Sequence, residues 1–492
     1  MVLIEQKEPA PTKEPQRRSG LGPLMRRIHF YAGMFIGPFL LVAAISGALY
    51  AIAPTMEAIA YRDMLRVPES STSVPLSQQV SAAQAEHPDM PVAQIWPSSE
   101  PGETTRVLLS DESVGEDRLR SVFVDPGTGD IVGDAPTYSG LGELPMRFWI
   151  SQLHKDLHLG DPGALYSELA ASWMWFIAFG GLYLWLKRTR SAKKAVLGLG
   201  SGGKGTRKRI MNLHAVAGVW LLIAMVGLSA TGITWSNVAG QNVSTTVKAL
   251  KWKADPINKS LTEDGSKAEG SKATGTDSSA GSKTEPRAVT PKEVANQAAT
   301  VLATARAEGL TGSVRMFPGE DVNTAWQVSE RWVPYRTSSD AITVNGSNGK
   351  VVDRLPFSEL PLFSKLTSWG IYLHMGIMFG LPLQILLFLV ALAIAGLVVT
   401  GYMMWWKRRP TLGGVAGAPG PNTELSATDW LIILAFIGIV GTFLPLFGAS
   451  LIAMLLADRA LAKRARQRTF TVDSQEPAPK LTRTTTSDSG AS

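Results

Sequence analysis

Five apolar runs punctuate the chain, near residues 30–53, 168–186, 213–236, 381–406 and 430–457. Each approaches the roughly 20 residues that an α-helix needs to cross a hydrocarbon core of about 30 Å. Between them the pattern changes period. In 54–148 a helix-like run, Leu76–Glu86, precedes short alternating runs near 91–96, 105–110 and 119–124, and the turn Asp125–Asp130 leads into Ile131 and Val132. The segment 238–366 gives the same succession: Pro291–Glu308, runs near 312–317, 324–329 and 341–344, then Asn345–Gly349 before Lys350, Val351 and Val352. Asp, Asn, Gly and Pro supply the backbone angles such turns require. The pattern predicts an all-α membrane bundle of about five spans carrying two small α+β domains, each a helix on an antiparallel sheet.

On this reading the spans occupy 23–53, 149–187, 210–237, 367–407 and 428–457, the second and fourth including an interfacial helix, with loops at 188–209 and 408–427. Residues 1–22, the Gly/Ser/Lys-rich tract 264–283 and the basic tail 458–492 lack apolar periodicity and are expected to be disordered.

Charge orients the spans. Arg17, Arg18, Arg26 and Arg27 precede the first, Lys187, Arg188, Arg190, Lys193 and Lys194 follow the second, and Lys407, Arg408 and Arg409 follow the fourth. Positive flanks belong in the cytoplasm, so 54–148 and 238–366 are expected to be exported domains of an inner-membrane protein. The formal charge of +7 then reports topology and not a nucleic-acid partner. Ala51-Ile52-Ala53 resembles a signal-peptide cleavage site. The apolar stretch before it exceeds the usual h-region of about 7–15 residues, which favours an uncleaved anchor. A fifth crossing would export Arg459, Lys463, Arg464, Arg466 and Arg468, whereas Gly441, Pro445 and Gly448 offer a re-entrant hairpin; both topologies stay open.

The chain also repeats itself. At an offset of 185 residues His29 falls on His214, Gly33 on Gly218, Gly47 on Gly232 and Tyr50 on Trp235. At an offset of 220, Leu153-His154 falls on Leu373-His374, Gly160 on Gly380, Gly181 on Gly401, Trp185 on Trp405 and Lys187-Arg188 on Lys407-Arg408. Each half reads as a helix, an exported domain and a returning helix.

Of six histidines, His87 lies in a polar stretch and reads as a surface residue, while the other five sit at span ends. A polar side chain there is by default a functional hypothesis, although a single one could simply solvate a helix end. Four of the five coincide under the repeat. His29 and His214, both at cytoplasmic ends, are expected to share one iron, and His154 and His374, on the exported side, a second. Two neutral imidazoles on opposite faces of a haem leave no open position, which suits electron transfer. Gly33 and Gly218, one turn beyond the cytoplasmic histidines, would admit a flat macrocycle or serve close helix packing. His158 is expected one turn after His154 on the same helix face. Its counterpart is Met378, so it ranks as an alternative ligand, or as a contact for a propionate or substrate. Zinc held by His154 and His158 with Asp156 or Asp161 is the rival reading. With no cysteine in the chain, thiol redox chemistry, Cys-ligated iron–sulfur clusters and covalent c-type haem attachment are excluded. A redox role needs a bound cofactor.

Arg27-Ile28-His29 with Gly33, Leu153-His154-Lys155-Asp156-Leu157-His158-Leu159-Gly160, Leu213-His214 with Gly218, His374-Met375-Gly376 with Phe379-Gly380, and Trp405-Trp406-Lys407-Arg408-Arg409-Pro410 together resemble the PepSY-associated transmembrane family. These are iron-regulated bacterial membrane proteins that include inner-membrane ferrisiderophore reductases. The likeness covers about residues 20–470 and implies PepSY folds for the two exported domains. For reductase members it implies b-type haems passing electrons to ferric chelates in the periplasm. The fifth span departs from the simplest four-span pattern.

Three function classes follow. The first is a dihaem transmembrane ferric-chelate reductase, with haem b, two per chain, and a ferric siderophore or other ferric chelate as acceptor. No glycine-rich dinucleotide fingerprint follows a predicted strand, so its donor is a separate cytoplasmic component or quinol. The second is a siderophore or metal transporter, which would need broken helices and polar mid-membrane residues, with Pro382 and Gln384 as candidates. The third is a membrane-anchored PepSY binding or regulatory protein, which leaves the recurring histidines without a role. The first is the preferred reading.

Overall fold

The computed structural model describes residues 20–192, 206–262, 287–408, 418 and 425–473. The expectations for residues 1–19, for the tract 264–283, for 193–205 of the basic loop and for the tail beyond 473 lie outside the described residues. The chain divides into two compact units, residues 33–416 and residues 1–32 with 417–492.

Helix α1 (Leu21–Phe35) is followed, after Ile36, by α2 (Gly37–Ala60). Pro38, in the first turn of α2, has no N–H to offer the Met34 carbonyl four residues back. The Tyr402 hydroxyl donates to that carbonyl instead, at 2.6 Å. A single turn, α3 (Arg62–Leu65), leads to α4 (Leu76–Glu86) and strands β1 (Val92–Trp96), β2 (Thr105–Leu109), β3 (Arg118–Val124) and β4 (Ile131–Tyr138). Next come α5 (Pro145–Asp156), α6 (Asp161–Ala192), α7 (Thr206–Trp220), α8 (Leu222–Thr234) and α9 (Val238–Ala249). The second half continues with α10 (Pro291–Ala307), strands β5 (Val314–Phe317), β6 (Trp326–Glu330), β7 (Ala341–Val344) and β8 (Val351–Leu355), then α11 (Leu362–His374) and α12 (Gly380–Trp406).

Among the described residues α2, α6 and α12 are each long and apolar enough to cross a membrane, and α7 with α8 make a fourth candidate that is bent by 60°. The molecule is thus a multi-pass helical membrane protein with a sheet domain, built on three or four candidate spans where five were expected. The third span, expected over 210–237, is bent at Leu221, where φ is −84° and ψ is −4°.

The strands differ from expectation in a more consequential way. Instead of two separate sheets they form one antiparallel sheet of eight strands, ordered β4-β3-β2-β1-β5-β6-β7-β8. The seam is β1 against β5, at Ile95 and Met316. Each four-stranded meander would otherwise leave that strand as an open edge, and pairing the two removes both edges. Helices α4 and α10 pack on one face over a single core that includes Val80, Val107, Val122, Val301, Met316 and Val328. The last turns of the two halves match in detail. Gly129 and Gly349, at φ +81° and +71°, adopt a left-handed backbone that glycine accepts without steric cost. In each, the residue opening the turn, Asp125 or Asn345, accepts the glycine N–H at 2.8 Å.

The other sheet face carries Phe123, against which Leu144 packs from the loop entering α5. Arg106 and Arg315 donate to the Gly142 and Gly140 carbonyls of that loop at 3.4 and 2.6 Å. The sheet and α5 are therefore one packed body.

In the smaller unit, α13 (Ala427–Phe443) and α14 (Pro445–Asp473) form a helical hairpin with Leu444 alone between them. The Arg459 guanidinium lies 3.8 Å from the centre of the Trp430 ring, and Phe436 meets Phe447. A Cβ on Gly448 would come 2.7 Å from the Gly441 Cα, so the corner requires glycine. Both topologies left open by the sequence are compatible with this helix pair. Arg27 and Tyr31 of α1 both donate to Asp458 of α14.

Candidate functional site

His154 lies in the last turn of α5 and His374 ends α11. Ser46 Oγ on α2 is 3.0 Å from His154 Nδ1, and Thr231 Oγ1 on α8 is 2.6 Å from His374 Nδ1. Each hydroxyl has one proton, and each places it within its own helix. Ser46 donates to the Val42 carbonyl at 2.8 Å and Thr231 to the Gly227 carbonyl at 3.0 Å. With those helix bonds kept, the imidazole Nδ1–H is the donor to the hydroxyl oxygen. That arrangement puts the ring proton on Nδ1 and leaves the Nε2 lone pair available, the tautomer that ligates a metal while its other nitrogen is held by the protein.

The two ring centres are 6.3 Å apart with their planes at 56°. A metal-bound imidazole nitrogen lies about 2 Å from the metal and roughly 1 Å from its own ring centre, so two rings on opposite sides of one ion have centres about 6 Å apart. The observed spacing fits a shared ion. Gly47 lies beside the His154 ring, where a Cβ would come 3.1 Å from Cε1, and the Trp235 ring is centred 6.2 Å from that of His374. Helices α5 and α11 precede the spanning helices. Burial holds both imidazoles below their ordinary value, His374 down to about 4, with the neighbouring His154 a second cause. In both cases the shift favours the neutral imidazole, the form that ligates a metal.

His214, on α7, shows the same chemistry. Its Nδ1 is 3.1 Å from the Leu397 carbonyl and 3.0 Å from the Thr400 hydroxyl, whose own proton goes to the Gly396 carbonyl at 2.8 Å. Nδ1–H is again the donor and Nε2 is free. His29 lies on α1 in the smaller unit, and His214 lies in the larger one. An added Cβ at Gly33 or Gly218 would meet nothing within 4 Å. Such open space would admit a flat ring, and it would equally admit lipid.

His158 departs from expectation. Helix α5 stops at Asp156, and Leu157 and His158 both take a left-handed backbone, at φ 57° and 59°. The Asp156 carboxylate accepts the His158 N–H at 2.8 Å, fixing the stop. His158 is consequently not one turn along from His154 on a common face but exposed and packed on Trp149, ring centres 4.8 Å apart. Zinc also loses its setting, since no group of three His, Cys, Asp or Glu side chains capable of holding a metal occurs among the described residues. His87 pairs with Asp134 on the sheet domain at 3.2 Å. Gln384, the candidate polar residue of a transport path, is buried and receives a hydrogen bond from Thr55 at 2.6 Å, a helix-to-helix tie.

Ser46, Thr231 and Thr400 escaped the sequence reading. A signal for two of them was present, because the 185-residue offset that superposes His29 on His214 also superposes Ser46 on Thr231. A cavity of about 670 Å³ opens elsewhere, between the loop Ser98–Gly102 and Ala299, Leu302 and Arg306 of α10. It lies on the helix-covered face of the sheet, away from the histidines.

The model of a family described as the PepSY-associated TM region matches residues 26–408. No curated protein matches the chain.

Proposed function

The chain belongs to the family of the PepSY-associated TM region, and on that premise we propose that it is a dihaem b-type electron-transfer protein of the bacterial inner membrane, passing electrons to a ferric siderophore or similar chelate. The observation that carries this reading is the pair His154 and His374, two rings with centres 6.3 Å apart and each with Nδ1 against a hydroxyl of a neighbouring helix. These two residues would hold the exported-side haem. The cytoplasmic-side haem rests on the repeat alone, which aligns His29 with His214. The same repeat suggests a two-fold relation between the halves, with the sheet domain in the periplasm.

Bound haem supplies one-electron chemistry at iron. The protein's own part is to orient and shield. Ser46 and Thr231 would hold the Nδ1 side of each ring, Gly47 leaves room beside His154, and the α2–α5 and α8–α11 contacts keep the pair half-buried. With His154 and His374 both engaged in holding it, a bound haem would suit electron transfer and not direct binding of oxygen or a chelate. The donor is a separate cytoplasmic component or quinol.

The test is the absorption spectrum of purified protein in detergent, oxidised and then reduced, with a pyridine haemochrome count. Low-spin b-type bands and two haems per chain are expected. A protein free of haem after expression with ample haem supply would end the proposal. The ring-fixing hydroxyls give a finer check: Ser46→Ala with Thr231→Val is expected to weaken haem binding on the order of 10–100-fold, measured by haem titration of the apoprotein, because support for the ligands is lost while the ligands remain.

A further inference from the structure

Directly along the helix seam that holds His154 lies a buried cluster for which electron transfer through haem gives no use. Ser46, Tyr50 and Glu57 lie four and eleven residues apart on one stripe of α2. His154, Ile150 and Arg147 lie on the facing stripe of α5, with Glu143 just ahead of that helix. The helices run antiparallel, so Ser46 meets His154, Tyr50 meets Ile150, and Glu57 accepts the Leu144 N–H at 2.7 Å. Tyr50, Glu57, Glu143 and Arg147 are each less than a tenth exposed.

The Tyr50 hydroxyl donates to Glu143 at 2.5 Å, and Arg147 donates to the Tyr50 oxygen at 3.4 Å. The guanidinium stands 3.6 Å from Glu143 and 3.9 Å from Glu57, an ion pair with each and a hydrogen bond with neither, and its Nε has no hydrogen-bond partner. Two buried carboxylates thus share one loosely held cation. Arg106 of β2 is the next positive group, Tyr138 of β4 faces Glu143, and Tyr61 accepts the Met146 N–H. Met375 and Ile371 of α11 close the cluster with apolar surface. A purely structural pair would be expected in bidentate contact, because burying a charge without full pairing costs free energy.

We propose that the Glu57–Glu143 pair is a proton-binding site coupled to the iron held by His154 and His374; this rests on the dihaem reading above. When that iron goes from Fe(III) to Fe(II) by one electron from the cytoplasmic-side haem or an added low-potential reductant, one carboxylate takes a proton from solvent and becomes the neutral acid. Arg147 keeps its charge, so the electron gained is matched by the proton and the buried region gains no net charge. The coupling is electrostatic, strengthened by low dielectric along the seam, and by linkage it is reciprocal: protonation must also favour reduction.

The experiment is potentiometric titration of the haem-loaded, full-length protein at a series of pH values. The haem removed by His374→Ala is expected to fall in midpoint as pH rises, toward the one-electron limit of about 59 mV per tenfold change in proton concentration. Glu57→Gln or Glu143→Gln, whichever removes the accepting carboxyl, should flatten that dependence, while Tyr50→Phe should keep it. A carboxylic acid C=O band in the reduced-minus-oxidised infrared spectrum of the unsubstituted protein gives a readout independent of variant stability. A midpoint independent of pH at an intact haem, or a slope surviving in both Gln variants, would overturn this inference alone. Protein with no haem at all would overturn the parent reading and this one with it.

Discussion

Replacing His154 or His374 by Ala is expected to lower the haem content from two to one per chain while leaving the protein folded. On the proposed reading either substitution removes one of the two imidazoles that would hold the haem, and the surviving ring would hold it less tightly. The sheet core contains neither histidine, so near-native sheet stability should persist. His158→Ala is the internal control. Its ring packs on Trp149 outside α5, so both haems should remain. The measurements are the pyridine haemochrome count and low-temperature EPR of the oxidised protein, in which one low-spin signal should disappear. Loss of both haems together in the His154 variant would mean a shared site or general unfolding and would defeat the two-site arrangement. Loss of haem on His158→Ala alone would reinstate that residue as the ligand.

The second large effect concerns direction. In proteoliposomes with haem pre-reduced under anaerobic conditions, ferric chelates added on the side of the sheet domain are expected to reoxidise the protein rapidly, and the same chelates on the other side slowly. A hydrocarbon core of about 30 Å separates the two faces. On the proposed reading the acceptor would reach only the haem nearest its own side. Reduction weakens the hold of hard oxygen donors on iron, since they bind Fe(III) more strongly than Fe(II), and the chelate then releases its metal. Reoxidation equally fast from both sides, or absent with every ferric chelate, would shift the acceptor toward a quinone or copper.

Much of the local structure was legible because it is locally determined. Helix α4 begins at Leu76 and ends at Glu86, where the periodicity places it, and the turns at Asp125 and Asn345 carry their own instructions in Gly129 and Gly349. What stayed hidden depends on distant parts of the chain. The β1–β5 seam joins Ile95 to Met316, and neither strand's pattern reveals whether its edge meets water or another strand. The tautomers of His154 and His374 depend on Ser46 and Thr231, supplied by other helices. The Leu221 bend carries no proline or other local mark. Leu157-His158-Leu159-Gly160 reads as helix continuing past His154, and the stop depends on the Asp156 side chain folding back onto its own backbone. Gly160, at φ +63°, was the one visible hint.

The seam also governs the order in which the molecule can be made. Strand β1 leaves the ribosome more than 200 residues ahead of the strand that completes it. Through that interval the first meander waits with one edge open and with part of its apolar face lacking the cover that α10 later brings, the kind of intermediate prone to pairing with the wrong chain. Neither half is a self-sufficient module, whatever its sequence resembles. The helix that carries His154 packs on a sheet whose core draws on both halves, so the paired site needs residues that the second half delivers.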